Sequence, residues 1–216
     1  MNIEEEKRLA AEAAGELVKD GMRVGLGTGS TVAFLLRAIA RRGPRASFVA
    51  SSPRTEAAAR ALGLHVEPFD KIDRLDLAID GADQIAPDGW LIKGGGAAHS
   101  REKIVAASAE RFVVIADSTK LVEALRPPVP LELQAFGLAA TLRHLDPTQL
   151  RDSPASPDGG IIADYRGPVL EPAELTRRLS ETPGVIAHGL FAPGLVSELL
   201  VGVGDSVRRS TIGGTQ

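Results

Sequence analysis

The sequence predicts an α/β fold, a doubly wound and mainly parallel sheet, followed by a second, smaller α+β domain. Three observations lead there. Short apolar strand candidates alternate with amphipathic helix candidates over roughly the first 120 residues, the rhythm of a parallel sheet with helices on both faces. Glycine, proline or a capping residue marks the junctions between them. Then Pro127, Pro128 and Pro130 punctuate the chain, and beyond them strands follow in a different order.

In chain order, Ile3, Leu9, Ala10, Ala13, Ala14, Leu17 and Val18 recur at helical spacing, with Gly21 as a stop signal. "RVGLG" reads as a short buried strand and "STVAFLLRAIARR" as a helix with Ser30 at its N-cap. "SFVA" is the next strand, and "PRTEAAARALG" is a helix opened by proline and closed by Gly63. "LHVE", "DLAID" and "RFVVIAD" read as further strands, with helix "REKIVAASAERF" before the last. After the prolines come strand "VPLEL", a helix through "GLAATLRHL", a polar loop "DSPASPDGG", strand "IIADY", helix "EPAELTRRLSET" and strands "GVIA" and "SELLVGV". The expected division is residues 1–127 plus 203–216 for the catalytic domain and 128–202 for the small domain. The tail "STIGGTQ" reads as a frayed end, and there is no internal repeat or low-complexity tract.

Composition bounds the function. At 216 residues and 44% apolar, the chain has enough hydrophobic material for a sizeable core, which excludes global disorder. A net charge of −3, with no basic run interleaved with aromatics, argues against a nucleic-acid partner. The apolar runs are too short to span a bilayer, and "MNIEEEKRLA" carries no signal-peptide pattern. With no cysteine there is no disulfide or thiolate chemistry, which fits a reducing compartment. The expectation is a cytoplasmic protein without membrane contact. An anionic ligand would need a locally cationic pocket.

Three segments fall where parallel sheets bind ligands, at the carboxyl ends of strands. The first, "GLGTGST" from Gly25 to Thr31, combines glycines, hydroxyls at Thr28, Ser30 and Thr31, and a following helix N-terminus that favours an anion. A tight turn without a ligand is the plain alternative. The motif lacks the third glycine and the later acid of a dinucleotide site, and it has no P-loop lysine, so a cradle for a single phosphate remains. In the second, "DGADQI", Asp80 and Asp83 flank Gly81 and Ala82 just past a buried strand, either facing one cleft or serving a turn and a helix cap. No histidine or third acid stands at ligand spacing there, so no metal is expected.

The third is "KGGGAAHSREKI". Gly94, Gly95 and Gly96 can turn several N–H groups toward one point, and Lys93 brings a full charge, a combination suited to an oxyanion that appears during reaction. Glu102 stands in the first turn of the next helix, where the dipole favours its ionised, basic form. A helix-stabilising surface acid and a solvated lysine are the plain alternatives. Together the three segments suggest proton abstraction beside a carbonyl on a small phosphate ester, with two aspartates moving hydroxyl protons, the chemistry of an aldose–ketose isomerase.

"GLGTGST", "DGADQI", "KGGGAAHSREKI" and "FVVIADSTKLV", in this order and spacing, resemble the A-type ribose-5-phosphate isomerase family, from about Lys7 to Lys120 and more weakly through "PGVIAHGLFA". The resemblance implies a Rossmann-like domain with a small α+β partner, a homo-oligomer (dimer or tetramer), no metal or organic cofactor, and a place in the pentose phosphate pathway. It implies interconversion of ribose 5-phosphate and ribulose 5-phosphate through a cis-enediolate. Glu102 would be the base, Asp80 and Asp83 would assist ring opening and oxygen proton transfer, and Lys93 with the amides of Gly94, Gly95 and Gly96 would stabilise the enediolate. Thr28, Gly29, Ser30 and Thr31 would bind substrate, with Gly81 and Ala82 beside them, and Lys7 and Lys120 would complete the cationic pocket.

The chain departs from the family pattern at His99 and Ser100, and in "SPASPDGG", which lacks the usual Thr-Asp-Asn-Gly-Asn loop. His99 reads as an outward-facing side chain or a modifier of the site's pKa values; His65, His144 and His188 read as structural or surface residues, and Trp90 as a core anchor. A sugar-phosphate-binding module without turnover would be expected to lose Glu102 or Lys93, and a coenzyme A transferase would want a longer chain with a nucleotide surface.

Overall fold

In the computed structural model, which describes residues 2–212, helix α1 (Ile3–Gly15) leads to strand β1 (Arg23–Leu26), helix α2 (Ser30–Arg42), strand β2 (Ser47–Ala50), helix α3 (Pro53–Ala61) and strand β3 (Leu77–Asp80). Short strands β4 (Gln84–Ile85) and β5 (Leu91–Ile92) precede helix α4 (His99–Ala107) and strand β6 (Phe112–Asp117), which ends in a 3-10 turn at Ser118–Lys120. The rest runs β7 (Val129–Leu133), α5 (Leu138–His144), β8 (Thr148–Leu150), β9 (Ile161–Tyr165), α6 (Pro172–Glu181), β10 (Val185–His188), β11 (Leu190–Phe191), β12 (Glu198–Val203) and β13 (Ser206–Thr211).

The chain divides into two compact units. One takes the residues up to Ala82, Arg101–Leu121 and the stretch from Pro193; the other takes Asp83–Ser100 and Val122–Ala192. The first holds a six-stranded sheet in the order β13-β12-β6-β3-β1-β2. All its pairings are parallel except β12 with β13. Its central strands are apolar on both faces, as strands covered by helices must be. Ala10, Ala14, Leu35, Ile39 and Phe48 pack with Leu26, Ile79 and Ile115 in its core. β1 leads to β2 on one side and to β3 on the other, so the strand order switches at the β1/β3 pair. Ligands of open α/β sheets bind at the carboxyl ends of strands at such a switch. The first two motifs start from those two ends.

The second unit has a four-stranded antiparallel sheet, β10-β7-β9-β8, and a three-stranded one, β11-β5-β4. Leu131, Leu133, Ala163, Tyr165 and Leu179 form its core, against which Trp90 packs as the expected anchor.

Several elements differ from the sequence expectation. "LHVE" makes only an isolated bridge from Val66 to Phe48, because Pro68 cuts the ladder short. "SELLVGV" is β12 and pairs with β6 in the central sheet instead of joining the small-domain strands. Ser210 and Thr211 of the supposed frayed tail pair with Leu199 and Glu198; the last four residues of that tail lie outside the described residues. Helix α2 is capped by Gly29, whose φ of 117° suits glycine, and Ser30 is already helical.

Candidate active site

In the first unit the glycines of "GLGTGST" have three separate tasks. A side chain at Gly25 would collide with Val105 of α4, so its absence lets that helix lie directly on β1. Glu102, one turn before Val105, is only 4% exposed, which removes the surface-acid reading. It is the acid of the helix's first turn, where the dipole favours a carboxylate. A side chain at Gly27 would occupy the place of the Asp80 carboxylate. Gly29 opens α2, which has neither a side-chain cap nor an acid in its first turn. Ser30 is exposed and Thr31 is buried at this helix start, an arrangement receptive to an anion.

Asp80 ends β3 and is 3% exposed. Its Oδ1 accepts from the Thr28 N–H at 3.0 Å and the Gly81 N–H at 2.7 Å, so the glycine-rich loop and the first aspartate form one bonded group. The Thr28 hydroxyl faces the β2–α3 junction and shares hydrogen bonds with Ser52 (2.8 Å) and Thr55 (3.0 Å).

The two expected lysines are linked through a residue that the sequence gave no reason to single out. Glu6 of α1 is fully buried and accepts from the Ser118 N–H (2.9 Å), the Ser118 hydroxyl (2.6 Å) and the Gly204 N–H (2.9 Å). Lys7 follows it in α1, paired with exposed Glu4 at 2.8 Å, and Lys120 closes the turn that Ser118 opens. The Ser118 hydroxyl, then the Gly204 and Ser118 amides, hold the Glu6 carboxyl below the usual carboxylate range. Beside Glu102, burial pushes the Lys103 ammonium down to about 8.

In the second unit, β5 delivers Lys93 into the glycine-rich turn. Lys93 is buried, its Nζ lies 5.3 Å from the centre of the Phe191 ring, and its N–H donates to the Gly189 carbonyl at 2.9 Å. A solvated lysine is therefore excluded. Gly94 has φ of 103° and Ala97 a φ of 58°, with the Ala97 N–H returning to the Gly94 carbonyl at 3.1 Å. Asp83 is exposed, and its Oδ2 accepts from the Gly95 N–H at 2.8 Å. One of the three expected donors is thus already engaged, and Asp83, expected to move hydroxyl protons, is bonded to the glycine turn.

His99 is fully buried, not outward-facing: its ring packs beneath Gly94, 2.8 Å from where a side chain there would begin. Ser100 donates to buried Glu132, which also receives the Ser156 hydroxyl from "SPASPDGG". That loop folds around Ser156, whose Oγ accepts from the Gly160 N–H at 3.0 Å. Arg151, just after β8, reaches the Gly94 and Gly95 carbonyls of the glycine-rich turn. Glu132, Arg151 and Ser156 carry no local motif, so sequence reasoning had no signal for them. His188 is buried beside Ser180 at 3.1 Å and His65 sits 3.5 Å from Glu67, in keeping with structural and surface roles.

Asp80, Gly81, Ala82 and Glu102 thus belong to the first unit with Thr28–Thr31, Lys7 and Lys120, while Asp83, Lys93 and Gly94–Gly96 belong to the second. The chain passes between units at Ala82/Asp83 and at Ser100/Arg101, inside the two acid-bearing motifs. Among the described residues no group of three or more His, Cys, Asp or Glu side chains could hold a metal ion, and no helix is long and apolar enough to cross a membrane.

Residues 47–206 match the family model described as ribose 5-phosphate isomerase A (phosphoriboisomerase A). The ribose-5-phosphate isomerase A of Rhodopseudomonas palustris is 42% identical, with 96% of this chain and 98% of that protein covered. That of Caulobacter vibrioides is 43% identical, covering 97% and 99%. Among solved structures, a D-ribose-5-phosphate isomerase in complex with phospho-erythronic acid superposes with a TM-score of 0.91 at 33% identity, covering 98% of this chain and all of that one. The ribose 5-phosphate isomerase A of Neisseria gonorrhoeae gives 0.90 at 31% identity, covering 95% of each.

Proposed function

This chain belongs to the ribose 5-phosphate isomerase A family, and we propose that Glu102 is the base with which it interconverts ribose 5-phosphate and ribulose 5-phosphate. The observation that carries this reading is a buried carboxylate in the dipole-favoured first turn of a helix seated directly on the central sheet. The helix dipole at that position favours the carboxylate form, which a general base needs.

The steps follow from the aldose. Asp80 and Asp83 assist opening of the sugar ring by moving hydroxyl protons. Glu102 takes the proton from C2, the C2–H electron pair forms the C1=C2 bond, and the carbonyl pair moves onto O1. The cis-enediolate that results is anionic at oxygen. Lys93 offers it a full charge, and the glycine turn offers the Gly96 N–H, with Asp83 holding the Gly95 amide in place. Glu102 then returns the proton to C1 while the O2 hydroxyl proton passes to O1, with Asp80 and Asp83 assisting, so that O2 becomes the ketone and O1 a hydroxyl. At the other end of the substrate, the phosphate lies at the uncapped start of α2, on Gly29, Ser30 and Thr31, with Lys7 and Lys120 supplying charge. Thr28, Gly81 and Ala82 line the sugar, and Thr28 serves also by holding Asp80. One solved relative is a complex with phospho-erythronic acid, an acid whose carboxylate, with two oxygens on one carbon and shared negative charge, resembles the enediolate of this scheme.

The test is direct. Incubated with ribose 5-phosphate, the protein is expected to form ribulose 5-phosphate at a rate unchanged by a chelator. No product would overturn the reading, and a chelator-sensitive rate would overturn its metal-free form. The same reading includes a cytoplasmic homo-oligomer, dimer or tetramer, in pentose phosphate metabolism; light scattering would reveal a monomer if that part is wrong.

A further inference from the structure

The glycine-rich turn is held from behind by a guanidinium that the scheme above does not use. Arg151, just after β8, donates from Nη1 to the carbonyl oxygens of Gly94 and Gly95, each at 3.2 Å. Its other edge faces Asp164 on β9, with Nη2 to Oδ1 at 2.5 Å and Nε to Oδ2 at 3.3 Å. The pair is largely withdrawn from solvent, the Arg151 side chain being 20% exposed and that of Asp164 11%. Arg166 approaches the same carboxylate at 3.9 Å from a more exposed position.

A trans peptide is planar, with its C=O and N–H pointing opposite ways. Gripping the Gly94 carbonyl therefore sets the direction of the Gly95 N–H, and gripping the Gly95 carbonyl sets that of the Gly96 N–H. Asp83 meets the first of these amides at 2.8 Å, so the Gly94–Gly95 peptide is held at both ends. The Gly95–Gly96 peptide is held by its carbonyl, which leaves the Gly96 N–H as the donor the turn presents. Three successive glycines cannot keep such an orientation by themselves, because nothing in their own sterics selects it. The cation at the carbonyl end also polarises each peptide and makes its N–H a stronger donor.

We propose that Arg151, oriented by Asp164, is a positioning residue that preorganises the Gly94–Gly96 turn to receive the enediolate oxygen. The inference rests on the isomerase reading. Lysine cannot replace it: an ammonium has no planar fork to span two carboxylate oxygens while reaching two carbonyls.

The experiment compares Arg151→Met, Arg151→Lys and Asp164→Asn in the full chain. It measures kcat and KM for ribose 5-phosphate, inhibition by phospho-erythronic acid and by inorganic phosphate, and the melting transition. For Arg151→Met kcat should fall about 10- to 100-fold, less than the roughly 10²–10³-fold cost of deleting an oxyanion donor outright. KM and phosphate inhibition should stay within about twofold. Affinity for phospho-erythronic acid should fall in step with kcat/KM, as for a group that serves the transition state. Arg151→Lys should behave like Arg151→Met, and Asp164→Asn should show the same pattern more weakly. A normal kcat in Arg151→Met would overturn the proposal, and so would equal losses of phosphate and phospho-erythronic acid affinity. If Arg151→Met does not fold, Asp164→Asn decides on the same criteria. An inactive wild-type protein would instead overturn the isomerase reading, whereas an active one with indifferent variants sinks this inference alone.

Discussion

Asp80 and the Gly94–Gly96 turn keep their places by opposite means. Asp80 ends a strand buried on both faces, and its carboxylate is fixed by amides within the two adjoining loops and by the missing side chain at Gly27. The glycine turn has no side chains of its own to wedge. Asp83, Arg151 and the His99 ring hold it from three places in the sequence. A parallel sheet supplies rigidity at its strand ends, so local residues finish the work; a turn off a two-residue strand has to borrow rigidity from remote side chains.

Four substitutions break or sharpen that contrast. The largest effect should come from Glu102→Gln, which keeps shape and removes the proposed base. Turnover is expected to fall about 10²–10⁴-fold with KM nearly unchanged, and steady-state kinetics with near-normal kcat would remove Glu102 from the chemistry. Gly27→Ala comes next. Its new methyl occupies the space of the Asp80 carboxylate, so melting should show a loss of about 1–3 kcal/mol and kcat should fall by up to about 10²-fold. Gly95→Ala meets only the exposed Asp83 carboxylate, at 3.0 Å, and should cost less stability. A reversal of that order would mean that the strand end is the softer half. Lys7→Ala should raise KM about tenfold and leave kcat nearly alone, as loss of one charge-assisted phosphate contact would; an unchanged KM removes it from the phosphate site.

The smallest effect concerns Glu6, and it depends on pH. Its folded-state pKa is depressed, so its contribution to stability is present above the ordinary carboxylate value and is lost as pH falls through the depressed one. The stability gap between wild type and Glu6→Gln, read from denaturant melts, should therefore be widest near neutrality and close on acidification. A constant gap would show that its hydrogen bonds do not depend on its charge.

Much of this was legible. β1, β3 and β6 are continuous apolar runs bounded by glycine or charge, β2 is a short one set among serines, α1 and α2 carry apolar periodicity, and α3 opens on Ser52 and Pro53. The "GLGTGST" loop announces a helix start, and the position of Glu102 in α4 follows from its spacing after the glycines. What escaped has physical reasons. β4, β5 and β11 are two residues long, too short for any period to register. β12 looks like any apolar strand, and nothing local says which sheet it joins. Glu6, Glu132 and Arg151 are ordinary polar residues until folding brings them to Ser118, Ser100 and the Gly94 carbonyl. His99, on a helix of mixed polarity, gave no sign that its ring would be covered by a glycine.

The interlock of Gly27 with Asp80 also bears on redesign. A library that varies position 80 alone, to alter which sugar is accepted, explores only half of a shared volume. Where the acid is traded for something smaller, an alanine or serine at 27 can refill the gap; where the acid stays, 27 has one admissible occupant. The two positions should be randomised as a unit.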